Sequence, residues 1–329
     1  MRPAHRPSYR LTLAGQVISP ELEARLMRLR LTDRRGLEAD QLDITLSDHD
    51  GRLALPRHGA ELTLALGWAE AGLVDRGRFI VDEVEHSGAP DVLVIRARSA
   101  DMRQQLPGKR SQSWHEVTLG DIVTTIADRH DLTPAIGALL EGVYLEHLDQ
   151  TDESDLHFLT RLADQHDAIA TIKAGRLLFM PAGQGSTASG RAIAPVTLRR
   201  GVGDEHRYIE ADRDAYTGVL AYWHDPDAAT RAEVIAGSDE NVKRLRHTYA
   251  TRDDAVSAAK SEWQRIQRGI AEASLTLAEG RPDLYPETPV TLAGFKAELD
   301  AKPWLITNVT HELTDTAYTS GVTLELQGS

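Results

Sequence analysis

Apolar and polar residues alternate in six short runs over the first third of the chain: Tyr9–Leu13, Arg25–Thr32, Gln41–Ser47, Leu62–Leu66, Phe79–Glu85 and Val92–Arg98. A period of two over five to eight residues predicts strands half-buried on one face. Turn chemistry separates them at Asp33–Gly36, Asp48–Gly51 and Ser87–Pro90. The pattern then returns near the end of the chain. Phe79–His86 reads FIVDEVEH, and Trp304–His311 reads WLITNVTH. Leu62–Trp68 (LTLALGW) matches Val290–Phe295 (VTLAGF), and Val92–Ala97 (VLVIRA) matches Gly321–Leu326 (GVTLEL). Three strands recurring in order predict two related small β-barrels. Duplication of this kind lets three chains in a ring present six similar units.

The middle of the chain changes period. Leu119, Ile122, Val123, Ile126 and Ala127 fall on one helical face, with Thr118 as N-cap and Asp121 three residues on. A second helix is expected over Glu153–Gln165, capped by Thr151 or Asp152, and a hairpin over Ala170–Ile172 and Leu177–Met180. The expected organisation is a first barrel at 1–104, an α/β insert at 105–182, a flexible linker at 183–190 (GQGSTASG) and a second barrel at 191–329. The second barrel includes strands at Val196–Arg199, Gly218–Trp223 and Lys243–His247. It is interrupted by a long helix at about 253–273, capped by Thr251, whose stripe is Val256, Ala259, Trp263, Ile266 and Ile270. The fold class is α+β, mainly β.

Composition narrows the function. The 329 residues carry a net charge of −13 and no cysteine, which excludes disulfides, thiolate metal sites and thiol nucleophiles. Lys and Arg number 17 against 16 Asp and Glu over residues 1–110, 4 against 12 over 111–185, and 16 against 22 over 186–329. An acidic chain is a poor grip for nucleic acid, which is held by Lys and Arg. The N-terminal segment lacks the apolar run of a signal peptide, and no apolar stretch is long enough for a membrane span, so synthesis in the bacterial cytoplasm is expected.

Residue by residue, no catalytic, cofactor or metal site is expected. Asp149, Asp152, Glu153 and Asp155 form the densest carboxylate cluster, but they read as the acidic start of a helix, where carboxylates meet the positive end of the dipole. Ser154, Asp155 and His157 have triad residue types without triad spacing, and no G-x-S-x-G elbow exists. His115 and His311 each precede Glu but lack the second His of H-E-x-x-H, and Gly183–Gly190 lacks the Lys-Ser/Thr of a phosphate loop. Trp68, Phe79, Phe295 and Trp304 hold matching places in the repeats and read first as core. Leu37–Leu42 fits either a solvated edge or a contact.

Leu31–Pro56, Phe79–Ser99, His147–Ala163, Leu177–Gly190 and Leu275–Pro289 resemble the phage late control protein D family, and the resemblance covers nearly the whole chain. It implies a baseplate hub of a contractile phage tail or tail-like bacteriocin, located in the tail baseplate and related to the hub part of type VI secretion spike proteins. It implies a homotrimer with a pseudo-six-fold ring, meeting the six-fold tail tube at one end and a trimeric central spike at the other. Tape measure and baseplate wedge proteins would be neighbours, and DNA would pass through the channel without specific binding. No cofactor and no membrane insertion are implied. Because the sequence stops just after the last repeat strand, the spike is expected to be a separate polypeptide.

The interface candidates are Trp68, Phe79, His86, Trp263, Ile266, Ile270, Phe295, Trp304 and His311, taken from the duplicated strands and the long helix. Two other readings compete. The insert loosely resembles glycan-binding LysM units, which predicts binding to peptidoglycan. A hydrolase using Asp152, Glu153 or Asp155 predicts loss of function on their replacement.

Overall fold

The computed structural model describes residues 5–100, 108–173, 175–210, 216–226 and 228–328, so the expected boundary at 104/105 lies outside the described residues. The first unit contains β1 (Pro7–Leu13), β2 (Gln16–Val17), α1 (Ser19–Leu22), β3 (Leu26–Arg34), β4 (Gln41–Ser47), β5 (Glu61–Trp68), β6 (Gly72–Ser87) and β7 (Val92–Ser99). The insert contains β8 (Lys109–Thr118), α2 (Leu119–Arg129), β9 (Thr133–Ile136), α3 (Ala138–Glu141), β10 (Tyr144–Ser154), α4 (Asp155–Gln165), β11 (Ala168–Lys173) and β12 (Arg176–Pro181). The rest contains β13 (Val196–Arg199), β14 (Glu205–Glu210), β15 (Gly218–Asp225), β16 (Thr230–Gly237), β17 (Val242–Tyr249) and α5 (Arg252–Arg268). It closes with β18 (Ala271–Leu277), β19 (Pro289–Ala293), α6 (Ala297–Asp300), β20 (Trp304–Leu313) and β21 (Tyr318–Leu326).

Thirteen strands form one sheet, with β14, β18, β21, β20, β3, β4, β7, β6, β5, β1 and β2 in order, and β19 and β13 branching from β20. The chain is therefore mainly β. The two expected small β-barrels lie in two stretches of this shared sheet, and neither is seen as a closed barrel among the described residues. Among the described residues no hydrogen-bonded pair joins the first and last strand of either stretch. Each stretch still wraps its own core. Leu11, Leu29, Ile44, Leu62, Phe79 and Ile95 converge in the first, and Leu198, Leu275, Val290, Trp304, Ile306 and Val322 in the second. A single cluster fed by six strands requires the sheet to bend around it.

The repeated strand pattern returns in the hydrogen-bond registers. Leu62 faces Phe79 in β5–β6, and Val290 faces Trp304 in β19–β20. The register of β6–β7 slips between Val81 and Glu83, and that of β20–β21 between Ile306 and Asn308, so both copies carry a bulge at the same place. Just before β5, Gly59 N–H donates to the Val81 carbonyl and Val81 N–H to Ala60. In the second copy Glu287 N–H donates to Ile306, and Ile306 N–H to Thr288.

The correspondence extends beyond the three expected strands. Ile44 faces Ile95 as Leu275 faces Val322, and Leu29 faces Ile44 as His206 faces Leu275. So β3, β4, β5, β6 and β7 match β14, β18, β19, β20 and β21 in chain order and in pairing. The pairing aligns Ala97 with Leu324, two residues from the match expected with Leu326. A shift of two keeps every side chain on its face, so alternation could not detect it. A sixth strand has diverged: Leu11 of β1 covers Leu64 antiparallel, while Leu198 of β13 covers Leu292 parallel.

Two insertions interrupt this plan. Residues 108–182 carry a core of Trp114, Ile122, Ile126, Phe158, Leu162 and Phe179 under two small sheets. The expected Thr118 capping box is present: Asp121 N–H donates to the Thr118 hydroxyl oxygen, and Thr118 N–H to the Asp121 carboxylate. Helix α4 starts at Asp155 and is capped by Ser154, whose Oγ accepts from His157 N–H, in place of the expected Thr151 or Asp152. The second insertion, between β14 and β18, lays α5 over β15–β17. This helix ends at Arg268, short of the expected 273. Gly269 N–H turns back to the carbonyls of Arg265 and Ile266, and from Ala271 the burial alternates as a strand.

Residues 183–190, expected as a flexible linker, are tied at several points. Gly328 N–H donates to the Gly183 carbonyl, Ile193 N–H to Gly185, and Ala188 is buried beside Ile169 and Met180.

Candidate assembly interface

The two copies of the β unit meet at one seam. Strand β20 of the second lies antiparallel to β3 of the first, with Val309 facing Asp33, His311 facing Leu31 and Leu313 facing Leu29. Arg28 and Glu312 close this edge with a 2.6 Å ion pair. The core of the first copy receives Leu313 and Tyr318 from the second, so the junction is apolar within and charged outside. Trp68 spans it as well. Its indole N–H donates to the Gly280 carbonyl at 2.9 Å, and its ring lies 5.2 Å from that of Tyr318.

Behind the seam lies a charged network that joins both copies and the insert. The Arg76 side chain is 1% exposed and bonds Asp33 at 3.0 Å. It also donates to the carbonyls of Pro282 and Leu284, and its guanidinium stacks on Tyr285 at 4.0 Å. Lys173 of the insert bonds Asp33 and Asp40. Burial and the neighbouring Asp33 charge push the Asp40 carboxyl up to about 6, against the pull of Lys173. Farther along, Arg35 pairs with Glu287 and Glu325, and Arg268 of α5 with Asp167 of the insert. Burial raises the Glu287 carboxyl, and the Arg35 guanidinium opposes the rise. The network lines a cleft of about 790 Å³ among Asp33, Arg76, Lys173, Met180 and Tyr285. Its charges are mutually paired, which suits a rigid joint better than a reacting centre.

The expected contact residues separate into three groups. Phe79, Trp304 and His311 are buried to 1% or less, inside the cores, so they have no surface to offer a partner and act by holding the strands. Trp68, Phe295, Trp263 and Ile266 are half-buried and already engaged. Phe295 packs on the His206 ring at 5.3 Å, and Trp263 and Ile266 pack under α5 against the β15–β17 sheet. The apolar stripe of the long helix is thus largely consumed within the chain. His86 and Ile270 are exposed, with Ile270 lying beyond the helix.

Sequence reading missed Arg76 and Lys173. Strand β6 begins at Gly72, seven residues before the expected start, because Asp75, Arg76 and Arg78 break the alternation that would have announced it. A buried arginine that finds carbonyls and an aromatic face has no signature in a single sequence.

The catalytic candidates do not converge. Asp149 accepts from the Ser113 hydroxyl, Asp152 pairs with Lys109, and Glu153 pairs with Arg161. Asp155 is 1% exposed. Burial works against its charge, but Gln150, His130, Arg110 and Arg129 outweigh it and hold the carboxyl below its ordinary range. Among the described residues no group of three or more His, Asp or Glu side chains forms a metal set, and no helix is long and apolar enough to cross a membrane.

Comparison with known proteins agrees with this architecture. The family model described as "Phage tail baseplate hub (GPD)" matches residues 34–317. A protein of Escherichia phage 186, described as a probable baseplate hub protein, is 44% identical, covering 98% of this chain and 93% of its own. The 43 kDa tail protein of prophage MuSo2 from Shewanella oneidensis superposes with a TM-score of 0.70 at 16% identity, over 97% of this chain and 98% of that one. An Escherichia coli component of the type VI secretion system, itself described as similar to T4 tail proteins, superposes with a TM-score of 0.58 at 16% identity, over 97% and 77%.

Proposed function

This chain belongs to the phage tail baseplate hub family, and we propose that as such it forms a homotrimeric ring joining a six-fold tail tube to a three-fold central spike. The carrying observation is the five-strand unit repeated in one chain with the same chain order, pairings and bulge. Three such chains present six nearly equivalent units to a six-fold neighbour, while remaining three-fold for the spike. In this arrangement each open, curled unit gains neighbours on both sides, and the pair of units per chain serves as the duplicated barrel of the ring.

The role is structural, and no catalytic step is assigned to the carboxylates of the insert. A net charge of −13 suits a passage through which DNA slides without adhering, since phosphates are repelled by like charge. Tape measure and wedge proteins are the further neighbours proposed for the same position. The test is stoichiometry in purified particles. Three copies per baseplate are expected, and a count that is not a multiple of three contradicts the reading.

A further inference from the structure

The repeat leaves two strand edges open. Within the chain, β20 uses its edge at Val309–Leu313 to pair with β3. The equivalent edge of the first unit is Val84–Gly88, on the side of β6 away from β7. Among the described residues no strand pairs with it. The equivalent of β3 is β14, which ends the sheet and, among the described residues, pairs with β18 alone. One chain therefore carries an unused copy of each half of its own internal junction.

We propose that these edges meet between copies: β6 of one chain pairs antiparallel with β14 of the next, in the register of the internal junction. The assignment rests on the ring reading above and specifies its contact. Transferring Val309–Asp33, Thr310–Thr32, His311–Leu31 and Glu312–Arg30 through the repeat gives Val84 with Glu210, Glu85 with Ile209, His86 with Tyr208 and Ser87 with Arg207. Two positions on these edges are open where their internal counterparts are sealed. His206 and His86 are exposed, while their counterparts Leu29 and His311 are fully buried. The arginine at the seam recurs, Arg30 inside the chain and Arg207 at the free edge. Glu85 would lie diagonal to Arg207, within reach of a cross-strand ion pair. Open edges of this length invite strand addition. Because the two edges differ, the contact is head-to-tail and must close into a ring or run into a fibre. The occupant is a second copy of this chain, since β14 repeats the partner that β20 already holds.

The chain has no cysteine, so a designed pair is the only thiol chemistry in it. Ser87→Cys with Arg207→Cys should oxidise to a covalent trimer, read on a non-reducing gel, when the full chain is mixed with its spike. Glu83→Cys with Arg207→Cys is out of register by four residues, about 13 Å along the strand, and should stay uncrosslinked. Both variants are surface changes, and light scattering gives the mass of each mixture. A trimeric mass without cross-linking, or equal cross-linking of both pairs, overturns the strand register and leaves the trimer standing. A monomeric mass in the presence of the spike overturns the edge pairing and the ring together.

Discussion

His86 and His311 occupy the same position in two copies of one strand, yet His86 is exposed beside Asp48 at 3.1 Å while His311 is sealed against Ser320 and Tyr318. The difference is the neighbour. Strand β3 pairs beside His311, and among the described residues no strand pairs beside His86. Burial, with the Arg76 charge behind it, pushes the His311 imidazole down to about 3 from an ordinary value near 6.5. The folded protein therefore holds this ring neutral, while the unfolded chain takes up a proton below pH 6.5. Its contribution to stability is whole above 6.5 and is lost as pH falls towards 3, by on the order of 1 kcal/mol per pH unit. Asp40 slopes the other way, because its raised carboxyl favours the folded state below 3.8 and loses that advantage as pH rises through about 6. The difference between parent and His311→Gln isolates the histidine. Urea unfolding between pH 4 and 7 should show a shallower acid loss in the variant, and parallel curves would contradict the assignment.

Arg76→Met should cost about 3–5 kcal/mol, because it strips a buried charge partner from Asp33 and hydrogen bonds from two carbonyls. Adding Asp33→Asn should recover part of the loss. Chemical denaturation of both variants checks this, and additive losses would show that the two side chains are not coupled.

Gly280 lies flat against Tyr318, and a Cβ there would sit 2.6 Å from the ring. The same residue accepts from Trp68 and donates to the Tyr318 carbonyl, so it has little room to retreat. Gly280→Ala should destabilise by about 1–3 kcal/mol through overpacking. A melting temperature equal to the parent's would show that the junction is looser than its distances.

The carboxylates of the insert should divide by burial. Asp149→Ala and Asp152→Ala remove half-exposed or exposed groups and should leave stability within about 0.5 kcal/mol and infectivity unchanged. Asp155→Ala leaves Arg129, Arg110 and His130 facing a void and should lower stability by several kcal/mol. Lost function with normal assembly in either exposed variant would revive a hydrolase.

The strands and their repeated pattern were legible because alternation is dictated by one wet and one dry face. Leu62 with Val290 and Phe79 with Trp304 were matched from the sequence, and the structure pairs Leu62 with Phe79 as it pairs Val290 with Trp304. The matches of β3 with β14 and β4 with β18 were hidden. Leu29 stands where the copy has His206, because one strand is covered and the other forms an edge. Closure was not legible: alternation reports which face is buried, not whether the first strand meets the last. Phe79 and Trp304, read first as core and also offered as contact candidates, are buried in the cores. Phe79 and Trp304 are conspicuous in sequence because they are large, and large residues are what cores enclose. The exposed edge at Val84–Gly88 has no comparable signal, and it becomes visible only when its twin is seen paired.

The proposed three-chain ring rests on two similar units in each chain. The most direct measurement is the mass of the purified protein by light scattering, alone and with its cognate spike. A trimer, or a complex of three chains with three spike chains, is predicted. A monomer that ignores the spike contradicts the ring.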